Sequence, residues 1–349
     1  MLQLTETTLS SRYYATEEKI KTEEVKEKFH QFSSKNGLIL DVRNDLHNEI
    51  AKPIACIDAS PTPPRSIGRV QISFLGVAVS HGILPSIFSS PKYGFEVVES
   101  HGRDHSRARD NAQFNLEADA ILDLYNYESN DYKSADGSIK SFVHSYQSLL
   151  NSDIDYSAST SLRIDAMTDL LNSGKIISFV KESESFEIGK ILKPMVPDID
   201  LLLPFQIANE LLEPGQIFLE QNRNIKPKFI DNHVDHAAKF SYENLCKTLS
   251  DFQTVTYKPI NGSGCVRLEY HSSQHSNLFE IVKSIDYEKS SIQIIEPFCQ
   301  YLSDQWAKYY ADVCEELWVI DNEPYLRNGE AYFPEKSRTE SFKKNIGGI

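Results

Sequence analysis

The sequence predicts an α/β protein with a mixed-sheet core, flanking helices and an additional β-hairpin region, on three observations. Apolar runs rich in β-branched and aromatic residues follow one another between Pro- and Gly-rich breaks, as strands do. A segment with apolar residues at three- and four-residue steps comes directly after them, as an amphipathic helix does. A later stretch, "TVTYKPINGSGCVRLEYHSS", has two strand-like halves around Asn261-Gly262, a hairpin signal.

The N-terminal "TEEKIKTEEVKEKFHQF" is rich in Glu and Lys at helical spacing, which predicts one exposed helix from about Ser11 to Phe32. It would be either a solvated face or a docking helix for a partner. The first core strand is "IACIDAS", an apolar run that ends on Asp58 before a Pro-rich turn. "RVQISFLGVAVS" (Arg69–Ser80) and "YGFEVVES" (Tyr93–Ser100) follow and complete a meander. In "DHSRARDNAQFNLEADAILDLYN", Phe114, Ala118, Ile121 and Tyr125 mark the buried face of a helix, with Glu117 beside it. A short fourth strand in "NDYKSADGS" closes on Asp136, and Gly137 permits a sharp exit.

The second half predicts a helix over Ser161–Asn172, a strand in "KIISFVK" to Lys181 and a helix over Asp198–Leu212. A turn and strand in "EPGQIFLE", the hairpin and a long helix from Pro297 through "CQYLSDQWAKYYADVCEEL" come after them. "SRTESFKKNIGGI" is polar with a Gly pair and reads as a loose end.

Composition narrows the function classes. Hydrophobic residues are 40% of the 349, and no apolar run approaches the roughly 20 residues of a membrane span. The N-terminal sequence lacks a basic start followed by an apolar core, so a cytoplasmic protein is expected. Five scattered cysteines without a C-x-x-C pair give no zinc ribbon or disulfide framework. The net charge of −14 excludes bulk attraction to nucleic acid, so any contact with DNA needs a local basic surface. "HGRDHSRARD", with His101, Arg103, His105, Arg107 and Arg109, is the best phosphate-contacting candidate; the alternative is a solvated helix start. "NRNIKPKF", with Arg223, Lys226 and Lys228, is a weaker one. His233 and His236 in "NHVDH" would share a helix face, without a third metal ligand nearby. No G-x-x-x-x-G-K-[ST] and no G-x-S-x-G occurs, which argues against an ATP-driven motor and a serine hydrolase.

Strand, strand, strand, helix, strand, with Asp58, Glu117 and Asp136 on the first strand, the helix and the fourth strand, is the layout of the ribonuclease H-like fold. There the first and fourth strands are neighbours, and the helix brings its acid to theirs. Carboxylates so placed repel unless a divalent cation lies between them, and oxygen-only ligands favour Mg²⁺ or Mn²⁺. Each acid taken alone also has a plain reading as a turn or cap residue.

Taken in order, "ACIDAS", "FNLEADAIL", "ADGSIKSF", "IISFVKESES", "LEPGQIFLE", "VRLEY" and "YLSDQWAKYY" resemble the NurA nucleases, from about Ile54 to Tyr310. The resemblance implies a nuclease domain over 51–325, with an N-terminal helical extension (1–50) and a C-terminal tail (326–349). It implies a metal-dependent deoxyribonuclease of exonuclease and single-strand endonuclease type, with two Mn²⁺ or Mg²⁺ ions. It further implies a ring-shaped homodimer that processes DNA ends with a HerA-type hexameric ATPase, in repair or in antiviral defence. Asp58, Glu117 and Asp136 match the metal-binding acids, Asp304 stands where the late helix offers a further ligand, and Lys181 would touch the scissile phosphate. The family often has Asp-Gly-Ser after the first strand, where this chain has Asp58-Ala59-Ser60. The rival expectation is a catalytically silent subunit that keeps the fold and docks on an ATPase ring.

Overall fold

The computed structural model describes residues 2–67, 70–81, 93–101, 105–127, 132–152, 157–180, 187–220, 224–261, 264–290, 298–325 and 331–332. In chain order these form α1 (Leu2–Ile20), α2 (Glu23–Lys35), β1 (Ile39–Asp41), β2 (Ile54–Pro61), β3 (Arg65–Ile67), β4 (Val70–His81) and β5 (Tyr93–His101). Next come α3 (His105–Tyr127), β6 (Tyr132–Asp136), α4 (Phe142–Ser152), α5 (Ser157–Asn172), β7 (Ile176–Phe179), α6 (Glu187–Leu192), α7 (Pro204–Leu211) and β8 (Gln216–Leu219). The chain continues with α8 (His236–Ser250), β9 (Phe252–Tyr257), β10 (Val266–His271), α9 (Leu278–Ser290), α10 (Phe298–Tyr325) and β11 (Ala331–Tyr332). It is a mixed α/β architecture, as expected. Among the described residues no helix is long and apolar enough to cross a membrane.

Contacts divide the chain into two compact units. One comprises Met1–Lys52, Ser178–Asn224 and Ser250–Pro297; the other comprises Pro53–Ile177, Ile225–Leu249 and Phe298–Ile349.

In the first unit β1, β8, β9 and β10 pair antiparallel in that order. The expected hairpin is present, but residues 258–265 separate its strands, so Asn261 belongs to a longer loop than a two-residue turn. The single exposed N-terminal helix divides into α1 and α2, which break at Lys21-Thr22. It is not solvated all round: Ile20, Val25 and Phe29 are buried with Ile188, Leu192, Leu211 and Phe218. The Glu and Lys residues masked an apolar stripe at five- and four-residue steps, enough to seat one face.

In the second unit the sheet is mixed. β2 lies between β4, antiparallel, and β6, parallel. β4 carries β5 along one edge and β2 and β3 along the other, and β11 pairs with β3. Side chains alternate between the faces, so Cys56, Asp58 and Ser60 share one face of β2 while Ile57 and Ala59 occupy the other. Helix α10 covers the first face: Cys56 Sγ lies 2.8 Å from Cys299 Sγ, and the Ser80 hydroxyl donates to the Cys299 carbonyl. Helix α3 covers the other, where His105 Nε2 is 2.8 Å from Ser73 Oγ. Phe114 of α3 packs edge-on against Phe142 and Tyr146 of α4, with centroids 5.1 and 4.8 Å apart.

Candidate functional site

Residues 54–57 of β2 pair in register with residues 132–135 of β6, ending at Ile57 opposite Ala135. The next residue in each strand is an aspartate, Asp58 and Asp136. Parallel partners project to the same face, so both carboxylates leave the sheet on the side covered by α10. Asp58 is buried at 4% exposure, whereas Asp136 is half-buried at the strand end. The Gly137 amide donates to Asp136 Oδ1 at 2.9 Å, and Gly137 has φ +74°, so this exit uses the left-handed freedom of glycine.

Glu117 reaches the same place from the other side of the sheet. Its Oε1 accepts from the Ala59 amide at 3.3 Å, and Gln113 Nε2 donates to the Ala59 carbonyl at 2.6 Å and to Glu117 Oε1 at 3.4 Å. The Ala59 amide and carbonyl point to one edge of β2, just past the point where β6 ends. Side chains of α3 therefore take the hydrogen bonds that a longer β6 would have made. Gln113 lies one helical turn before Glu117, a spacing visible in the sequence but overlooked in reading it. Ala59, where glycine was expected, lies within β2 opposite Val77 and needs no glycine freedom.

Asp304 sits half-buried on α10, where Lys308 Nζ at 2.6 Å and Gln305 Nε2 at 3.0 Å bond its Oδ2. Lys181 and Arg103 lie outside the described residues. Arg107 is exposed at the start of α3 and donates weakly to the Ser148 carbonyl at 3.4 Å, and Arg109 is paired with Asp110 at 2.9 Å. His105 departs from the expected basic patch: it is buried beneath the sheet against Ser73. Burial, helped by the Arg109 charge, lowers its pKa. His233 and His236 do not share a helix, because α8 begins at His236 and Asp235 caps it through the Ala238 amide at 2.6 Å.

The donor set at the ends of β2 and β6 is carboxylate oxygen, which suits a hard divalent cation. Among the described residues, no group of three or more His, Cys, Asp or Glu side chains is drawn together into a metal site as the side chains stand. The turn of Glu117 onto the Ala59 amide accounts for its part in this. Two acids on neighbouring strands, with a third held one residue away, are what the fold assembles here.

No protein-family model and no curated protein sequence matches the chain. Among solved structures it is similar to the NurA nuclease from Sulfolobus solfataricus, with a TM-score of 0.50 and 14% identity over 86% of this chain and 95% of that one. NurA bound to dAMP and manganese aligns with a TM-score of 0.44 and 8% identity, over 80% of this chain and 89% of the other. The first likeness gives the fold: the chain has a NurA-like architecture over most of its length.

Proposed function

We propose that the chain is a divalent-metal-dependent DNA nuclease in which Asp58, Glu117 and Asp136 form the metal-binding and catalytic group. One observation carries the reading: the parallel register that ends at Ile57 and Ala135 sets Asp58 and Asp136 side by side at the strand ends. The NurA-like architecture supports it. Asp58 and Asp136 would hold Mn²⁺ or Mg²⁺ between them, with Glu117 adding a third carboxylate and Asp304 a fourth. Bound there, two such ions would supply a water of lowered pKa and charge stabilisation at the leaving oxygen of a phosphodiester.

The chain's own residues have distinct tasks in this scheme. The burial of Asp58 excludes bulk water around its carboxylate and keeps its charge effective. Gln113 fixes the backbone next to Asp58 through the Ala59 carbonyl. Lys181 and the arginines Arg103, Arg107 and Arg109 are assigned to the DNA phosphates. Work on DNA ends beside a HerA-type ATPase, as a homodimer in the cytoplasm, completes the proposal. Exonuclease and single-strand endonuclease activity is part of it, in repair or antiviral defence.

A second reading, a catalytically silent subunit, is favoured by one observation. Glu117 is engaged with backbone, and the described side chains form no three-ligand group. A Mn²⁺- and Mg²⁺-dependent cleavage assay on single- and double-stranded DNA, comparing wild type with Asp58→Asn, separates the two. The nuclease reading expects cleavage that Asp58→Asn abolishes; cleavage unchanged by the substitution refutes it. Absence of cleavage by wild type, alone and with a HerA-type ATPase, favours the silent subunit.

A further inference from the structure

Gln300 is fully buried on α10, yet neither its amide nitrogen nor its amide oxygen has a hydrogen-bond partner among the described residues. A buried primary amide left unpaired costs stability, and such groups in folded proteins are usually satisfied by protein, water or ligand.

The contacts of α10 locate it. Cys299 meets Cys56; the backbone at Ala307 and Ala311 crosses Gly76, the β4 residue that pairs with Ser60; and Cys314 packs with Ile72 and Phe74. The helix therefore runs along β2 in the direction of that strand. The turn from Gln300 to Asp304 stands at the level between Cys56 and Ser60, which is the level of Asp58. Glu315 shows which way that flank looks: it bonds Arg65 Nε of β3 at 2.7 Å. β3 and β2 share the edge of β4 opposite β5, and β6 lies beyond β2 on that side. At 100° per residue, Gln300, Asp304 and Glu315 fall on one flank of α10. The amide of Gln300 thus lies over β2 on its β6 side, where Asp58 and Asp136 project.

We propose that Gln300 is a substrate-contacting residue of this site, its amide N–H donating to a non-bridging oxygen of the scissile DNA phosphate. This rests on the nuclease reading. A neutral donor suits the position, because a lysine or arginine there would be neutralised by the carboxylates or would compete with a cation for them. The unpaired amide is then a cost that the fold carries for the bound state.

Gln300→Met keeps the length and bulk of the side chain and removes both polar atoms. Thermal unfolding of the full chain is measured for both proteins, without ligand and with Mn²⁺ plus a phosphorothioate oligonucleotide that resists cleavage. Cleavage of the unmodified oligonucleotide is measured alongside. Without ligand, Gln300→Met is expected to unfold at or above the wild-type temperature. Its rise on adding oligonucleotide should be less than half that of wild type, and its kcat/KM should fall tenfold or more. A ligand-free Gln300→Met that unfolds several degrees lower shows the amide to be paired within the fold and overturns the proposal. So does an equal rise for both proteins. Failure of the nuclease reading has another signature, cleavage by Asp58→Asn at the wild-type rate, whatever Gln300→Met does.

Discussion

Replacing Gly76 by alanine tests how closely α10 must lie on the sheet. A Cβ at this position would fall well inside 3 Å of the Ala307 carbonyl and the Ala311 amide, and 3.0 Å from the Tyr310 carbonyl carbon. All three are backbone atoms, so no side chain can swing aside. Restoring ordinary contact requires the helix to retreat by about 1 Å. Overpacking of this kind costs about 1–3 kcal/mol. At about 2–4 °C per kcal/mol for a unit of this size, a cost near 2 kcal/mol lowers the unfolding midpoint by about 4–8 °C. The same retreat lifts Gln300 and Asp304 away from Asp58, and a misplacement near 1 Å can cost about 100-fold in rate. Thermal unfolding and the cleavage assay together read both effects. A Gly76→Ala protein that unfolds within 1 °C of wild type and cleaves at its rate would refute the close packing argued here.

Three further outcomes are expected. Glu117→Gln keeps an acceptor for the Ala59 amide, so its stability should stay within about 0.5 kcal/mol of wild type, whereas Glu117→Ala should lose about 1 kcal/mol in urea unfolding. Both should lose about 100-fold or more in cleavage, because both lack the charge. Lys308→Met frees Asp304 from its ion pair; if Asp304 is a ligand, calorimetry should show Mn²⁺ binding tightened about two- to fivefold, matching the about 0.5–1 kcal/mol of such a pair. Unchanged affinity removes Asp304 from the ligand set. Burial depresses the His105 pKa, so the unfolded chain binds the extra proton first as pH falls. The stability held by neutral His105 is then present above about pH 6.5 and is lost as pH drops below it towards the lowered native value. Unfolding midpoints between pH 7 and pH 5 should fall less steeply in His105→Gln than in wild type; parallel slopes would contradict the assignment.

The order of elements from Ile54 to Asp136 was legible because each one announces itself locally. β2, β4 and β5 are apolar runs between Pro and Gly breaks, α3 has its four-residue apolar step, and Gly137 marks the exit from β6. Even β6, polar as "YKSAD", follows the expected placement, since Lys133 and Ser134 are fully buried beside β2 despite their polarity. Other features depend on contacts between distant residues, which no local pattern carries. The burial of His105 needs Ser73 across the sheet, the task of Gln113 needs the early end of β6, and the apolar face of α1 and α2 needs the core of its own unit. Gln300 had no signal at all, because a glutamine in a polar turn of a long helix looks solvated until its burial is seen.

The central claim is that Asp58 and Asp136 hold a divalent cation together. Crystals of the full chain grown with Mn²⁺ and measured for anomalous scattering at the manganese edge test it most directly. The account predicts an anomalous peak between these two carboxylates, about 2.0–2.3 Å from an oxygen of each. The peak should disappear in Asp58→Asn. A wild-type protein that cleaves DNA with Mn²⁺ while no manganese lies between Asp58 and Asp136 would contradict it.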